Sequence, residues 1–243
     1  MIDVEDVKLR SWGNEPYIYK SIPIKPKTIK EIIRDGYQNF LYNLNLVAID
    51  KEQVFPDGNS FDTALKKLSF AELLYATENF DFLNSYLDAI QYFLSTEISV
   101  EPDKVILINE NKYTLEDIAS LVVIIKIQNC MSNKSGKDEF NPKNDRVRKL
   151  KEQQQRYKDK IAKLKTESQK EDNLSFRDYL SSLAVVGNGM NVNEVLKLNY
   201  YQFHDQLIRL QKYQSYKENM DALFHQMLDT NKTKITHWMT KIE

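Results

Sequence analysis

Residues 114–127 read TLEDIASLVVIIKI, and the rest of the chain has to be arranged around them. Thr114 followed three residues later by Asp117 is a helix-start pair, in which the hydroxyl accepts a backbone N–H and the carboxylate reaches back to the cap. The run Leu121-Val122-Val123-Ile124-Ile125 then leaves this helix almost without a polar face. Such a segment is expected as a central core helix that other elements must cover. Its most apolar window, residues 118–127, is about half the ~20 residues that a membrane helix needs, and it contains Lys126. Cys130, the one cysteine of the chain, follows it and is expected as a buried thiol that behaves as a small hydrophobe. A single cysteine forms no internal disulfide, and the chain reads as cytosolic.

Outward from this helix most periods are helical. Thr28 and Glu31 form a capping box before Ile29, Ile32, Ile33, Phe40, Leu41 and Leu44, which predicts one helix of four turns or more. Residues 61–76 and 80–94 give two further amphipathic helices, separated from the first by the turn-rich 55–60. Strand signals are confined to residues 7–25 and 105–113. The former holds Val7-Lys8-Leu9 and Tyr17-Ile18-Tyr19 with Ile22 and Ile24, and Pro16, Pro23 and Pro26 limit them to edge strands. The latter looks like a small hairpin around an Asn-rich turn. Downstream, Ser175 with Asp178, Asn191 with Glu194 and Asn199 with Gln202 each start a helix, and Gly187-Asn188-Gly189 ends one. In the last helix Phe203, Leu207 and Leu210 face inward, and Met220, Leu223, Phe224 and Met227 continue after Tyr216.

The 243 residues are 42% hydrophobic and 28% charged, with 6 Gly and 6 Pro, which excludes collagenous, low-complexity and disulfide-scaffold classes. A net charge of −1 conceals a division along the chain. Residues 1–142 hold 15 Lys+Arg against 22 Asp+Glu, net −7; residues 143–172 hold 11 against 6, net +5; residues 173–243 hold 8 against 7, net +1. The fold class expected is mainly α, in three parts: an acidic N-terminal helical domain with minor β hairpins (1–140), a basic coiled-coil-like linker helix (141–172) and a small C-terminal helical bundle (173–243).

In the linker the apolar positions fall on a heptad, with Val147, Gln154 and Ile161 on one row and Leu150, Tyr157 and Leu164 on the other. Its flanks are mostly basic, Lys151, Lys158 and Lys165 on one side and Gln153, Lys160 and Glu167 on the other. In a parallel homodimer Lys160 would face Lys165 of a second copy, which disfavours that form of self-association. Two readings stay open: docking on an acidic surface in the same chain or another, and a solvated helix joining two domains. Interleaved acids, Glu152, Asp159 and Glu167, count against DNA as the partner, because a phosphate backbone would meet repulsion repeatedly. The candidate partner-binding residues are therefore Val147, Leu150, Lys151, Tyr157, Lys158, Ile161 and Leu164, together with Trp238 near the C-terminus, which is either tucked into the bundle or held out for a partner.

No catalytic constellation can be read. His204, His225 and His237 are the only histidines, and none is arranged with other ligands as in the common metal motifs. His204 and Asp205 are neighbours on a helix and point in different directions. Gly187-Asn188-Gly189 lacks the further glycine or lysine of a phosphate-binding loop. Catalytic, metal and cofactor-binding residues are all expected to be absent, and the chain is expected not to be an enzyme. Residues 191–198 and 199–213 resemble a helix-turn-helix, but the second helix begins Tyr200-Tyr201-Gln202-Phe203-His204-Asp205, with no cation before Arg209, so nucleic acid is a disfavoured partner.

Four stretches carry a family resemblance: residues 22–32, IPIKPKTIKEI, before a helix holding Gly36-Tyr37; Asn141-Pro142-Lys143-Asn144 ahead of the charged helix; residues 200–206, YYQFHDQ; and His237-Trp238-Met239. Their order resembles the tail assembly chaperones of tailed bacteriophages that infect Gram-positive bacteria, or a closely associated tail morphogenesis protein. The resemblance implies a non-enzymatic protein in the cytoplasm of the infected host that binds the tape-measure protein and tail-tube protein during virion assembly. It implies no catalytic residues, no cofactor and no membrane. The alternatives are a structural tail or baseplate component and a helix-turn-helix regulator.

Limited proteolysis is expected to cut first between residues 132 and 143 or around residues 165–173, because these polar stretches have no apolar face to bury. Mass spectrometry of the first fragments checks this, and protection of both stretches would mean that the basic helix packs into one continuous domain.

Overall fold

The computed structural model describes residues 2–49, 54, 68–100, 105–109, 111–131, 174–187, 189–225 and 237–240. In chain order these form helix α1 (Val4–Trp12), strands β1 (Tyr17–Tyr19) and β2 (Ile22–Ile24), helices α2 (Ile29–Asp35), α3 (Tyr37–Ala48), α4 (Phe70–Ala76) and α5 (Phe80–Leu94), strands β3 (Ile98–Val100), β4 (Ile106–Ile108) and β5 (Asn111–Tyr113), and helices α6 (Leu115–Gln128), α7 (Phe176–Val186), α8 (Val192–Lys197) and α9 (Tyr200–Phe224). The fold is mainly α with two small antiparallel sheets, β1-β2 and β3-β4-β5. The basic linker helix lies outside the described residues.

Helix α6 is the expected core helix. Thr114 and Asp117 make the capping box, and Ile118, Leu121, Ile124 and Ile125 are sealed from solvent by α1, α3, α4 and α5. Phe40 of α3 and Phe93 of α5 meet edge to face at 5.9 Å within the same core. A β-hairpin is stapled along α6. Asp117 at its start accepts from Tyr19 Oη at 2.9 Å and Lys20 Nζ at 2.7 Å, while Gln128 at its end donates to the Ile24 carbonyl at 2.9 Å. Tyr113 Oη closes the corner by donating to the Lys20 carbonyl at 2.8 Å.

Three expectations are corrected. Val7-Lys8-Leu9 is helical, because Asp3 caps the first turn through Glu5 N and Asp6 N, Arg10 pairs with Asp6 four residues back, and the i, i+4 pair Val7 and Ser11 faces inward. The long helix after Thr28 is two helices. Gly36 stands between them at φ +90°, a conformation open to glycine, and turns the chain so that both faces reach the core. The hairpin over 105–113 gains a third strand, β3, whose Ile98 pairs with Ile108. Of the helix expected over residues 61–76, the part from Phe70 is described, and Ser69 with Glu72 caps it.

The C-terminal helices pack together and against residues 2–49. The start of α9 is joined to the start of α2 by two backbone hydrogen bonds, Ile29 N to the Leu198 carbonyl (2.8 Å) and Tyr200 N to the Lys27 carbonyl (2.9 Å). Asn199 between them is fully buried. Its Oδ1 accepts from Gln202 N at 2.8 Å, and its Nδ2 donates to the Ser11 carbonyl at 2.7 Å and to Asn14 Oδ1 at 3.1 Å. Gln202 Nε2 donates to the Trp12 carbonyl at 2.7 Å. Aromatic rings complete the seam: Tyr37 and Phe176 stack with centroids 4.1 Å apart, and Phe40 lies 5.0 Å from Tyr200.

Replacing Asn199 by Ala removes a helix cap and the donor to a buried carbonyl, and is expected to cost about 2–4 kcal/mol in urea unfolding. Asn199→Asp keeps the cap acceptor but sets a carboxylate oxygen against the Ser11 carbonyl. An equal loss in that variant would assign the effect to the donor.

Burial pushes the Asp117 carboxyl up, but hydrogen bonds from Lys20, the Thr114 backbone and Tyr19 outweigh it and hold the group below the usual carboxylate range. A folded-state value below the unfolded one of about 3.9 gives stability that is fully present above that pH and is lost as pH falls through the folded value. Asp117→Asn should therefore flatten the loss of stability below about pH 4, and Asp117→Ala should cost about 2 kcal/mol at neutral pH, both read by urea titration.

Candidate functional site

The C-terminal strap and the outer part of α9 form the site that contains a sequence-selected residue. Asn199 and Gln202 start α9 and anchor its first turn, and Phe203 is its last buried side chain, so the following twenty-one residues run out along or beyond the core. At 1.5 Å per residue the 25-residue helix is roughly 37 Å long. Residues 237–240 return to its outer half. Trp238 meets Tyr213 edge to face at 5.7 Å, and His237 meets Tyr216 at 5.1 Å. The Trp238 ring is half-buried against α9.

Between strap and helix lies an open cleft of about 520 Å³. Gln211, Lys212, Ser215, Tyr216 and Asn219 line it from α9, a single helical face at spacings of three and four, and His237, Trp238 and Thr240 line it from the strap. Lys212 Nζ lies 3.3 Å from Thr240 Oγ1, which ties the strap's end to the helix. Met239 N donates to His237 Nδ1 at 3.2 Å, so a neutral His237 ring carries its proton on Nε2. A second cleft, of about 460 Å³, lies between α3 and α5 and differs in sign, since Asp88 and Glu97 line it beside Asn39, Asn43 and Tyr92. Behind Tyr92, Lys27 Nζ sits 4.2 Å from the ring centre and 3.3 Å from Asp35 Oδ2.

Val147, Leu150, Lys151, Tyr157, Lys158, Ile161 and Leu164 lie outside the described residues. The cleft residues of α9 were not selected from the sequence. Gln211, Ser215 and Asn219 at i, i+4 and i+8 were a legible polar row, but only the returning strap distinguishes such a row from ordinary solvated surface.

The groups with latent reactivity are tuned away from it. Burial pushes the Cys130 thiol up to about 12, the reverse of an activated nucleophile. Burial likewise lowers the His204 pKa, against the opposing charge of Asp205. Among the described residues no three His, Cys, Asp or Glu side chains are grouped to hold a metal ion, and no helix is long and apolar enough to cross a membrane. The end of α9 that would enter a DNA groove in a helix-turn-helix is packed against residues 11–37, with Asn199 and Phe203 buried there.

Comparison with curated proteins and with solved structures gives no match. A family model described as YomV second domain matches residues 167–243, which include α7, α8, α9 and the strap. About a third of the chain, the part that carries the cleft and Trp238, is thus similar to a phage-associated domain family.

Proposed function

We propose that this chain is a non-enzymatic tail assembly chaperone that binds the tape-measure and tail-tube proteins of its phage in the host cytoplasm. The observation that carries the reading is the phage-associated match over residues 167–243, which coincides with two of the four resembling stretches, 200–206 and 237–239. A third stretch belongs to the same seam. Lys27 and Ile29 of the 22–32 motif exchange hydrogen bonds with Tyr200 and Leu198, and Tyr37 behind it stacks on Phe176. Three of the four stretches thus meet on α9, and residues 141–144 lie outside the described residues.

A holdase needs apolar surface that remains available in the folded state. Leu9 and Trp12 stand outward on α1, 67% and 59% exposed, and Val185 and Val192 flank the α7–α8 turn at 81% and 61%. The heptad row of residues 147–164 supplies a further amphipathic element, with apolar anchors between basic flanks and a net −7 N-terminal part to meet them in cis or in a neighbouring subunit.

Co-expression with the tape-measure protein of the same phage is expected to keep that protein soluble and to yield a complex that is absent from mature virions. Stoichiometric incorporation into the virion would assign the chain to tail structure instead. Val147→Ser, Leu150→Ser and Ile161→Ser together should reduce co-purification by at least about tenfold, and Lys151→Gln with Lys158→Gln by much less, because desolvated apolar anchors outweigh rim charges. Tight duplex-DNA binding abolished by the two Lys changes alone would promote the regulator reading.

A further inference from the structure

We propose that helix α7 is a displaceable occupant of a groove built by Tyr37, α8 and α9, and that an amphipathic helix of a partner protein, led by an aromatic residue, takes its place. The proposal rests on the chaperone reading only for the source of that helix. Four side chains seat α7: Phe176, Tyr179 and Leu180 are half-buried against the core, and Leu183 is buried in it. They fall at i, i+3, i+4 and i+7, the spacing by which a groove reads a separate helix. Tyr37 stacks on Phe176 with centroids 4.1 Å apart and planes 3° from parallel, while Phe203 meets the same ring edge to face at 5.7 Å. The two rings make a slot for one flat side chain, so the present occupant shows which anchor a replacement must carry.

The hold on α7 differs in kind from the hold on its neighbours. The junction of α8 and α9 is locked to residues 11–29 by directional bonds, through Leu198, Asn199, Tyr200 and Gln202. Among the described residues the hydrogen bonds of 174–187 stay within residues 174–190, so side-chain packing joins α7 to the body. That packing is thin: one of its eleven residues is buried, against eight of fourteen in α6. An element with few buried contacts opens at lower free energy than the core. Gly189, at φ +87° between α7 and α8, supplies a turn about which α7 moves while the start of α9 stays anchored.

The probe is a fluorescein-labelled peptide of residues 174–187, added to the full-length chain. Phe176→Ala in the chain loosens the internal helix, so the peptide should bind that variant at least about tenfold more tightly than the wild type, because an occupied groove lowers apparent affinity in proportion to its open fraction. The peptide with Ala in place of its own Phe should bind at least about tenfold more weakly. Adding Tyr37→Ala to the Phe176→Ala chain should abolish the gain, and Tyr37→Phe should keep it. Unchanged hydrogen exchange of the α6 amides shows that each variant retains its core. A measurement on the wild type needs no variant: the α7 amides should exchange at least about tenfold faster than those around Phe203. Equal affinity of wild type and Phe176→Ala, indifference to Tyr37→Ala, or α7 amides protected as well as Phe203 would overturn the assignment. Dimers of the wild-type chain that the peptide dissociates would give the groove to a second copy, against a partner protein. If tape-measure protein co-purifies while the peptide fails these tests, the groove assignment falls and the chaperone reading stands. Peptide binding that obeys them without capture of any tail protein supports the groove and leaves the chaperone reading to fail.

Discussion

Asn199 joins residues that are 188 positions apart, and its amide must do so inside the core. A buried amide with lost partners costs roughly 1–3 kcal/mol per group, so this side chain is viable only if both the α9 cap and the Ser11 carbonyl are met together. That double requirement fixes where α9 begins, how it approaches α1, and the direction in which its outer half leaves the core. The cleft and the strap follow from that direction.

A similar economy governs α6. A helix with almost no polar face cannot choose its own orientation by amphipathicity, because every rotation buries much the same surface. Its orientation is set by two buried polar groups near its ends, Asp117 against Tyr19 and Lys20, and Gln128 against the Ile24 carbonyl. Hydrophobic burial supplies the stabilisation here, and hydrogen bonds supply the unique arrangement.

The proposed partner contacts lie at the margins of this frame. On α9 the fully buried positions end with Phe203, Leu207 and Leu210 pack partly buried against the core, and the helix beyond carries the strap and the cleft. The phage-associated similarity covers this region and not the acidic N-terminal part. Residues in and beside α1, α2 and α3 hold the start of α9, and the proposed partner surface lies on the C-terminal third.

Local features were legible in the sequence because their causes lie within four residues. Thr28 with Glu31, Thr114 with Asp117, Ser175 with Asp178, Asn191 with Glu194 and Asn199 with Gln202 all cap helices as their spacing requires, and the apolar run of α6 is core. Where two local preferences competed, tertiary packing decided. Val7-Lys8-Leu9 has strand-forming residues but sits in a capped helix that buries Val7; Gly36 permitted a turn that periodicity alone ran through; and β3 needed β4 beside it before three residues became a strand. The sequence by itself determined a mainly helical chain with an apolar central helix and marked helix starts. Only the tertiary structure decided that Asn199 locks the two ends of the chain together and that Trp238 and His237 close a donor-lined cleft on α9, because those contacts join residues whose separation along the chain carries no periodic signal.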